Sequence, residues 1–220
     1  MSTISPPLTR RHVLASAAAL TLVPPALAAS VRIRVNGLQD KPLEDAVVML
    51  EPKAGRAPVR PMPDQVISQR RRRFEPAVSV VTAGTRVEFP NRDDVRHHVY
   101  SFSEAKRFEL KLYQGRPEAP VTFDRAGLVV LGCNIHDHMV AWVVVSDTPW
   151  FARTPGNGEA QLPDVPPGDY RLRVWHPSMP PGATGEVQDV KVDAAGLNMT
   201  MGLKLRPLRL PEPSTLGNYQ

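Results

Sequence analysis

Proline sets the strongest limit on what this chain can fold into. There are 24 prolines in 220 residues, well above the usual share. Proline has no backbone N–H and blocks a helix interior, so it punctuates strands and turns instead. After residue 30, no long stretch carries the apolar spacing of a helix face. The sequence therefore predicts an all-β protein. Its length suffices for one large or two small domains.

Strand-like runs recur at short spacing between turn signals. "SVRIRV" (30–35) alternates apolar and polar, and "EDAVVMLEP" (44–52) follows the turn "NGLQDKPL". A polar, proline-rich linker covers 53–64. The block 65–146 holds "QVISQRRRRFEP", "VSVVTAGTRVEFPN", "HHVYSF" and "FELKLY", then "VTFDRAGLVVLGC" and "MVAWVVVSD". In it, Val87 and Phe89 share one strand face and Glu88 takes the other. Such a run of strands suits a small sandwich or barrel. The block 147–205 adds "GNGEAQLPDVPPGDYRLRVWHP", "GEVQDVKVD" and "LNMTMGLKL", and 206–220 reads as a flexible tail.

The first 28 residues contain two arginines, an apolar run and Ala26-Leu27-Ala28. These are the three parts of an export signal peptide. Arg10-Arg11 suits the twin-arginine route and a plain secretion signal equally. The apolar run is too short to span a bilayer, so no integral membrane anchor is expected. The expectation is a periplasmic protein. The formal charge is only +5 and falls further if Arg10 and Arg11 are cleaved off, which does not argue for nucleic acid. "QRRRRF" at 69–74 reads either as a solvated edge strand or loop, or as a basic patch that steers an acidic partner.

Exported chains usually form disulfides, yet Cys133 is the only cysteine. An unpaired thiol in an oxidising compartment needs protection, by burial or by a metal. Cys133 opens "CNIHDHM", a C-x2-H-x2-M spacing that puts His136 and Met139 on the same turn between two strands. His97 and His98 begin a strand after the loop "PNRDDVR". One thiolate and two imidazoles with a weak axial thioether are the donors of a blue-copper electron-transfer site. A buried, inert core cysteine is the plain alternative. Zinc accepts cysteine and histidine, but its structural sites seldom use methionine.

"GTRVEFPNRDDVRHHVYSF" together with "GCNIHDHM" resembles the cupredoxins, the plastocyanin and amicyanin group. It resembles most the cupredoxin-like proteins labelled methylamine utilisation proteins. The family pattern is G-x-x-V-x-F-x-N-x-D-x-x-x-H-N-V, followed later by a loop carrying Cys, His and Met. The resemblance implies a Greek-key β-sandwich over 65–146. It also implies one type 1 copper held by His97, Cys133, His136 and axial Met139. The family's asparagine after the first histidine is His98 here, which leaves His98 open as a competing ligand. His138 is a further histidine on the same loop, read as a surface side chain.

The flanking segments, "NGLQDKPLEDAVVMLEP" and "GNGEAQLPDVPPGDYRLRVWHP", resemble the transthyretin-like, carboxypeptidase regulatory-like repeat. The implied companion is a small Ig-like sandwich split between 30–52 and 147–205. A separate subdomain at 147–205, with 30–52 adding an edge strand, is the alternative.

Taken together, the expected function is a one-electron carrier serving a periplasmic redox partner, a cytochrome or a dehydrogenase. The chain is not expected to be an enzyme. A copper carrier or chaperone without a redox role is one alternative. Another is a partner-binding β-module with a vestigial copper site. His176 and Trp175 in "VWHP" read as structural, and Tyr100, Phe102, Trp142 and Trp150 as core or domain-contact aromatics.

Overall fold

The structure is a computed structural model and describes residues 29–205. The expected signal peptide and the expected tail lie outside the described residues. Seventeen strands and one short 3-10 turn, Leu38–Asp40, make up the regular structure of the described residues. The chain is all-β, as its prolines and strand patterning imply. No helix among the described residues is long and apolar enough to cross a membrane.

Two β-sandwiches result. In the first, the order Glu159–Val165, Ala29–Asn36, Leu197–Gly202 forms one sheet. The facing sheet runs Phe151–Arg153, Val47–Pro52, Gly168–Trp175, Glu186–Val192. Ala29–Asn36 alternates strictly between buried and exposed residues over its first seven positions. This is the period of two expected of a strand with one face on a core. Val31, Ile33, Leu50, Leu162, Leu172 and Val174 fill the space between the sheets. Both ends of the described chain contribute, because Leu197–Gly202 pairs parallel to Ala29–Asn36.

The second sandwich uses residues 65–146. Its five-stranded sheet has the order Val78–Thr82, Val140–Ser146, Gly127–Gly132, His97–Ser103, Lys106–Tyr113. A three-stranded sheet, Val121–Phe123, Thr85–Glu88, Gln65–Val66, lies opposite. Phe89, Phe123, Val99, Leu131 and Val143 pack between them, with Cys133 and Met139 at one end of the same core. Val140–Ser146 pairs with Val78–Thr82 and Gly127–Gly132 and is buried at all but its first residue. A central strand covered on both faces reads as the unbroken apolar run "VAWVVV".

A third apolar cluster joins the two sandwiches: Val47, Met49 and Trp175 from one, Val78, Trp142 and Val144 from the other. The Trp142 and Trp175 rings lie 6.5 Å apart. His176 sits beside this junction with both ring nitrogens engaged. Its Nε2 contacts the Glu44 carbonyl at 3.1 Å, and its Nδ1 accepts the Ser178 N–H at 3.0 Å.

One expectation needs correction. Phe102 is 75% exposed: it stands on the outer face of the His97–Ser103 strand, near Tyr100, where no second layer of the described residues covers it. The basic run at 69–74 is solvated edge strand and turn, as expected: a hairpin of its own, Ser68–Arg70 against Arg73–Glu75, turning at the exposed Arg71 and Arg72.

Candidate metal centre

The site forms at the end of the inner core, where two connections between strands meet. One is the loop 91–96 that leads into His97. Asn91 organises it: its Oδ1 accepts the Asp93 N–H at 3.0 Å, while its Nδ2 donates to the carbonyls of Val95 and Tyr113. Side-chain oxygen to backbone N–H two residues on is a local turn device of asparagine. The other connection is the double turn 133–139, closed by the Met139 N–H on the His136 carbonyl at 2.9 Å. Gly132, just before Cys133, lies under the Tyr100 ring so closely that a Cβ there would be 2.8 Å from it.

These connections bring His97, Cys133 and His136 together. One donor atom from each lies within 4.8 Å of the others. The His97 and His136 rings are 5.0 Å apart, and the Cys133 sulfur is 3.8 Å from His136 Nδ1. His97 is fully buried, Cys133 nearly so, and His136 partly exposed beside the exposed Ile135. Met139 is buried in the same cluster as Cys133.

His97 is held by its far nitrogen. Its Nε2 is 2.8 Å from Asp93 Oδ2. Its Nδ1 is buried and has no hydrogen-bond partner among the described residues. A buried polar atom without a partner is costly and calls for an explanation. An ion bound between Nδ1, the Cys133 sulfur and His136 Nδ1 would supply one, and these donors suit copper.

Burial, charge and hydrogen bonds shift all three of these groups. Burial pushes the Cys133 thiol up, but the His97 imidazole and the backbone N–H groups of His98 and Ile135 outweigh it and hold the thiol below its ordinary range. Burial likewise pushes His97 down, yet Cys133 and Asp93 together raise it. His136 is lowered, first by burial and then by the positive charges of His97, Arg72 and His138. Thiolate and neutral imidazole are the forms that ligate metals; the shifts of Cys133 and His136 run toward them, and that of His97 runs the other way.

His98 does not join the donor group. Its Nε2 is 2.9 Å from Glu109 Oε1, and its ring lies beside Tyr100. Its backbone N–H is among the groups that lower the Cys133 thiol. His138 is next to His136, ring centres 5.9 Å apart, but is likewise outside the group. Sequence reasoning passed over Asp93, although the motif N-x-D-x-x-x-H contains it. It also passed over Gln69 and Tyr113. The buried Gln69 amide donates to the Tyr113 hydroxyl and, at 3.1 Å, to the Phe89 carbonyl, and the Tyr113 hydroxyl donates to that same carbonyl. Burial pushes the Tyr113 hydroxyl up to about 12.

No family model matches the chain, and no curated protein matches it. Among solved structures, it is similar to a purple cupredoxin from Nitrosopumilus maritimus, at 22% identity and TM-score 0.34, over 38% of this chain and 100% of that one. It is also similar to a pseudoazurin from Methylobacterium extorquens AM1, at 24% identity and TM-score 0.34, over 39% of this chain and 76% of that one. A copper-containing nitrite reductase from Thermus scotoductus SA-01 is similar at 22% identity and TM-score 0.36, over 51% of this chain and 28% of that one.

Proposed function

We propose that the protein is an exported, periplasmic cupredoxin that holds one type 1 copper at His97, Cys133, His136 and Met139 and carries single electrons to or from a redox partner, a cytochrome or a dehydrogenase. Residues 65–146 form the copper module, and 30–52 with 147–205 form a transthyretin-like companion. The observation that carries the reading is the buried, unpartnered Nδ1 of His97, grouped with a thiol and a second imidazole.

Copper, when bound, supplies a one-electron couple suited to soft sulfur and imidazole donors. The chain's residues do the rest. Asp93 fixes the tautomer and orientation of His97, so that Nδ1 is the nitrogen left for the ion. Cys133 offers a sulfur whose thiol is held below its ordinary range by its surroundings. Met139 adds a soft thioether from within the core. The packed core behind Cys133 keeps water from the sulfur, while the partly exposed His136 marks the side open to a partner.

An absorption and EPR spectrum of the copper-loaded protein tests this. The expected result is intense thiolate-to-copper charge transfer that bleaches on reduction and is abolished by Cys133→Ser. A serine variant that keeps the colour would refute the assignment.

A further inference from the structure

The arginine hairpin remains unexplained by metal binding. Arg70, Arg71, Arg72 and Arg73 are all exposed, as are Arg92 and Arg96 in the loop before His97. None of the six makes a salt bridge among the described residues. The exposed acids in the neighbouring segments are fewer: Glu75, Asp94 and Asp137. Six unpaired cations gathered in this way repel one another, so the arrangement costs stability by itself.

The chain nevertheless fixes this hairpin in place. Arg71 and Arg72 both adopt left-handed backbone, φ +54°, which non-glycine residues seldom do. Their N–H groups are clamped by the two Asp93 oxygens, at 2.5 and 2.8 Å. The Gln69 N–H donates to the Pro90 carbonyl, and the Arg92 N–H donates to the Gln69 carbonyl. The same carboxylate that clamps the turn holds His97 Nε2. The basic hairpin is therefore built onto the rim of the metal centre, on rigid supports.

We propose that this hairpin is the docking lip for an acidic protein partner, which it draws in by charge and seats beside the partly exposed His136. The inference rests on the electron-carrier reading for its purpose, though the surface itself does not need copper. Unpaired exposed cations raise the encounter rate with an acidic face and make it fall with salt. A rigid hairpin adds orientation without the entropy loss of ordering a loop.

The test uses one haem protein in two charge states: basic cytochrome c, and the same cytochrome with its lysines succinylated. Binding of the full chain to each is measured by calorimetry at low and high salt, with and without copper. The expected result is binding of the succinylated form at least tenfold tighter than the basic form, weakening steeply with salt, in the metal-free protein as well. The variant Arg70→Gln/Arg71→Asn/Arg72→Asn/Arg73→Gln keeps the backbone N–H groups for Asp93, and asparagine tolerates the left-handed turn. It should lose that preference while keeping the copper spectrum of the parent. Equal binding of the two cytochromes, or a preference that survives in the variant, overturns the proposal. A parent chain that never turns blue would instead refute the copper reading and leave the binding result to decide this one.

Discussion

Asp93 Oδ2 stands 2.8 Å from His97 Nε2, so a carboxylate braces the ring from behind while the opposite nitrogen remains unpartnered. A carboxylate behind a metal-binding imidazole makes it a stronger donor and fixes its orientation. Asp93→Asn should therefore weaken copper retention by about 10- to 100-fold. It should also raise the reduction potential, because a poorer donor stabilises copper(II) less. Competition against a chelator and redox titration give the two readouts. Unchanged values in both would reduce Asp93 to a clip for the hairpin.

Retention also separates an electron carrier from a copper donor. The site is buried at His97, Cys133 and Met139, so an ion held there should survive prolonged dialysis and cycle reversibly between oxidation states. Rapid loss to a mild chelator would favour a copper-delivery role with the same ligands.

His176 should make stability depend on pH. Its pKa is lowered, chiefly by burial, against partial compensation from the Glu44 carbonyl and Asp45. The unfolded chain takes up a proton there near the ordinary value of about 6.5, whereas the folded chain does so only at lower pH. The unfolded state therefore binds more protons between these two values. Stability contributed here is present above about 6.5 and is lost as pH falls toward the folded value. Denaturant midpoints of the parent and His176→Gln, compared from pH 8 to 5, should diverge in slope only below that point. Parallel curves would refute it.

Trp175 is 4% exposed and faces Trp142 across the junction. Trp175→Ala should cost about 3–5 kcal/mol where the cavity does not collapse. The loss falls on the cluster shared by the two sandwiches, so one cooperative melting transition should separate into two in calorimetry. A single transition with an unmoved midpoint would mean that the junction contributes nothing.

Gly196 has φ +97°, and a Cβ there would sit 2.2 Å from the Ser30 carbonyl oxygen. Both the backbone conformation and the close approach require glycine. Gly196→Ala should destabilise by more than about 1 kcal/mol and loosen the parallel pairing of Leu197–Gly202 with Ala29–Asn36. Amide exchange in Val31–Asn36 would report it directly.

Much of the candidate site was legible because part of it is close in sequence. Cys133 and His136 share one turn, and the family resemblance pointed to His97 while leaving His98 open; the structure groups His97 with them. The supports were not legible, for a physical reason. Gln69 reaches Tyr113 across 44 positions, and no local pattern announces such a pairing. The tip of the basic hairpin was hidden as well. Four consecutive arginines carry none of the glycine or asparagine that usually marks a left-handed turn, because Asp93, some twenty residues later, provides the acceptors that hold it. The strand Phe151–Arg153 is three residues long, too short to show a period. Strand faces were read well where one side is buried, as in Ala29–Asn36. They were misread at Phe102, whose hydrophobic side chain faces outward.

The parallel pairing of Leu197–Gly202 with Ala29–Asn36 imposes an order of events on a chain made from its N-terminus. The inner sandwich has all its strands once Ser146 has emerged. It can collapse as a finished unit during synthesis. Ala29–Asn36 is by then bare on both edges, since Glu159–Val165 and Leu197–Gly202 have yet to appear. The sandwich of 29–52 and 147–205 therefore closes last, like a clasp fastened beside a finished neighbour, and a chain cut short before residue 197 would carry a complete 65–146 unit next to an unfastened one.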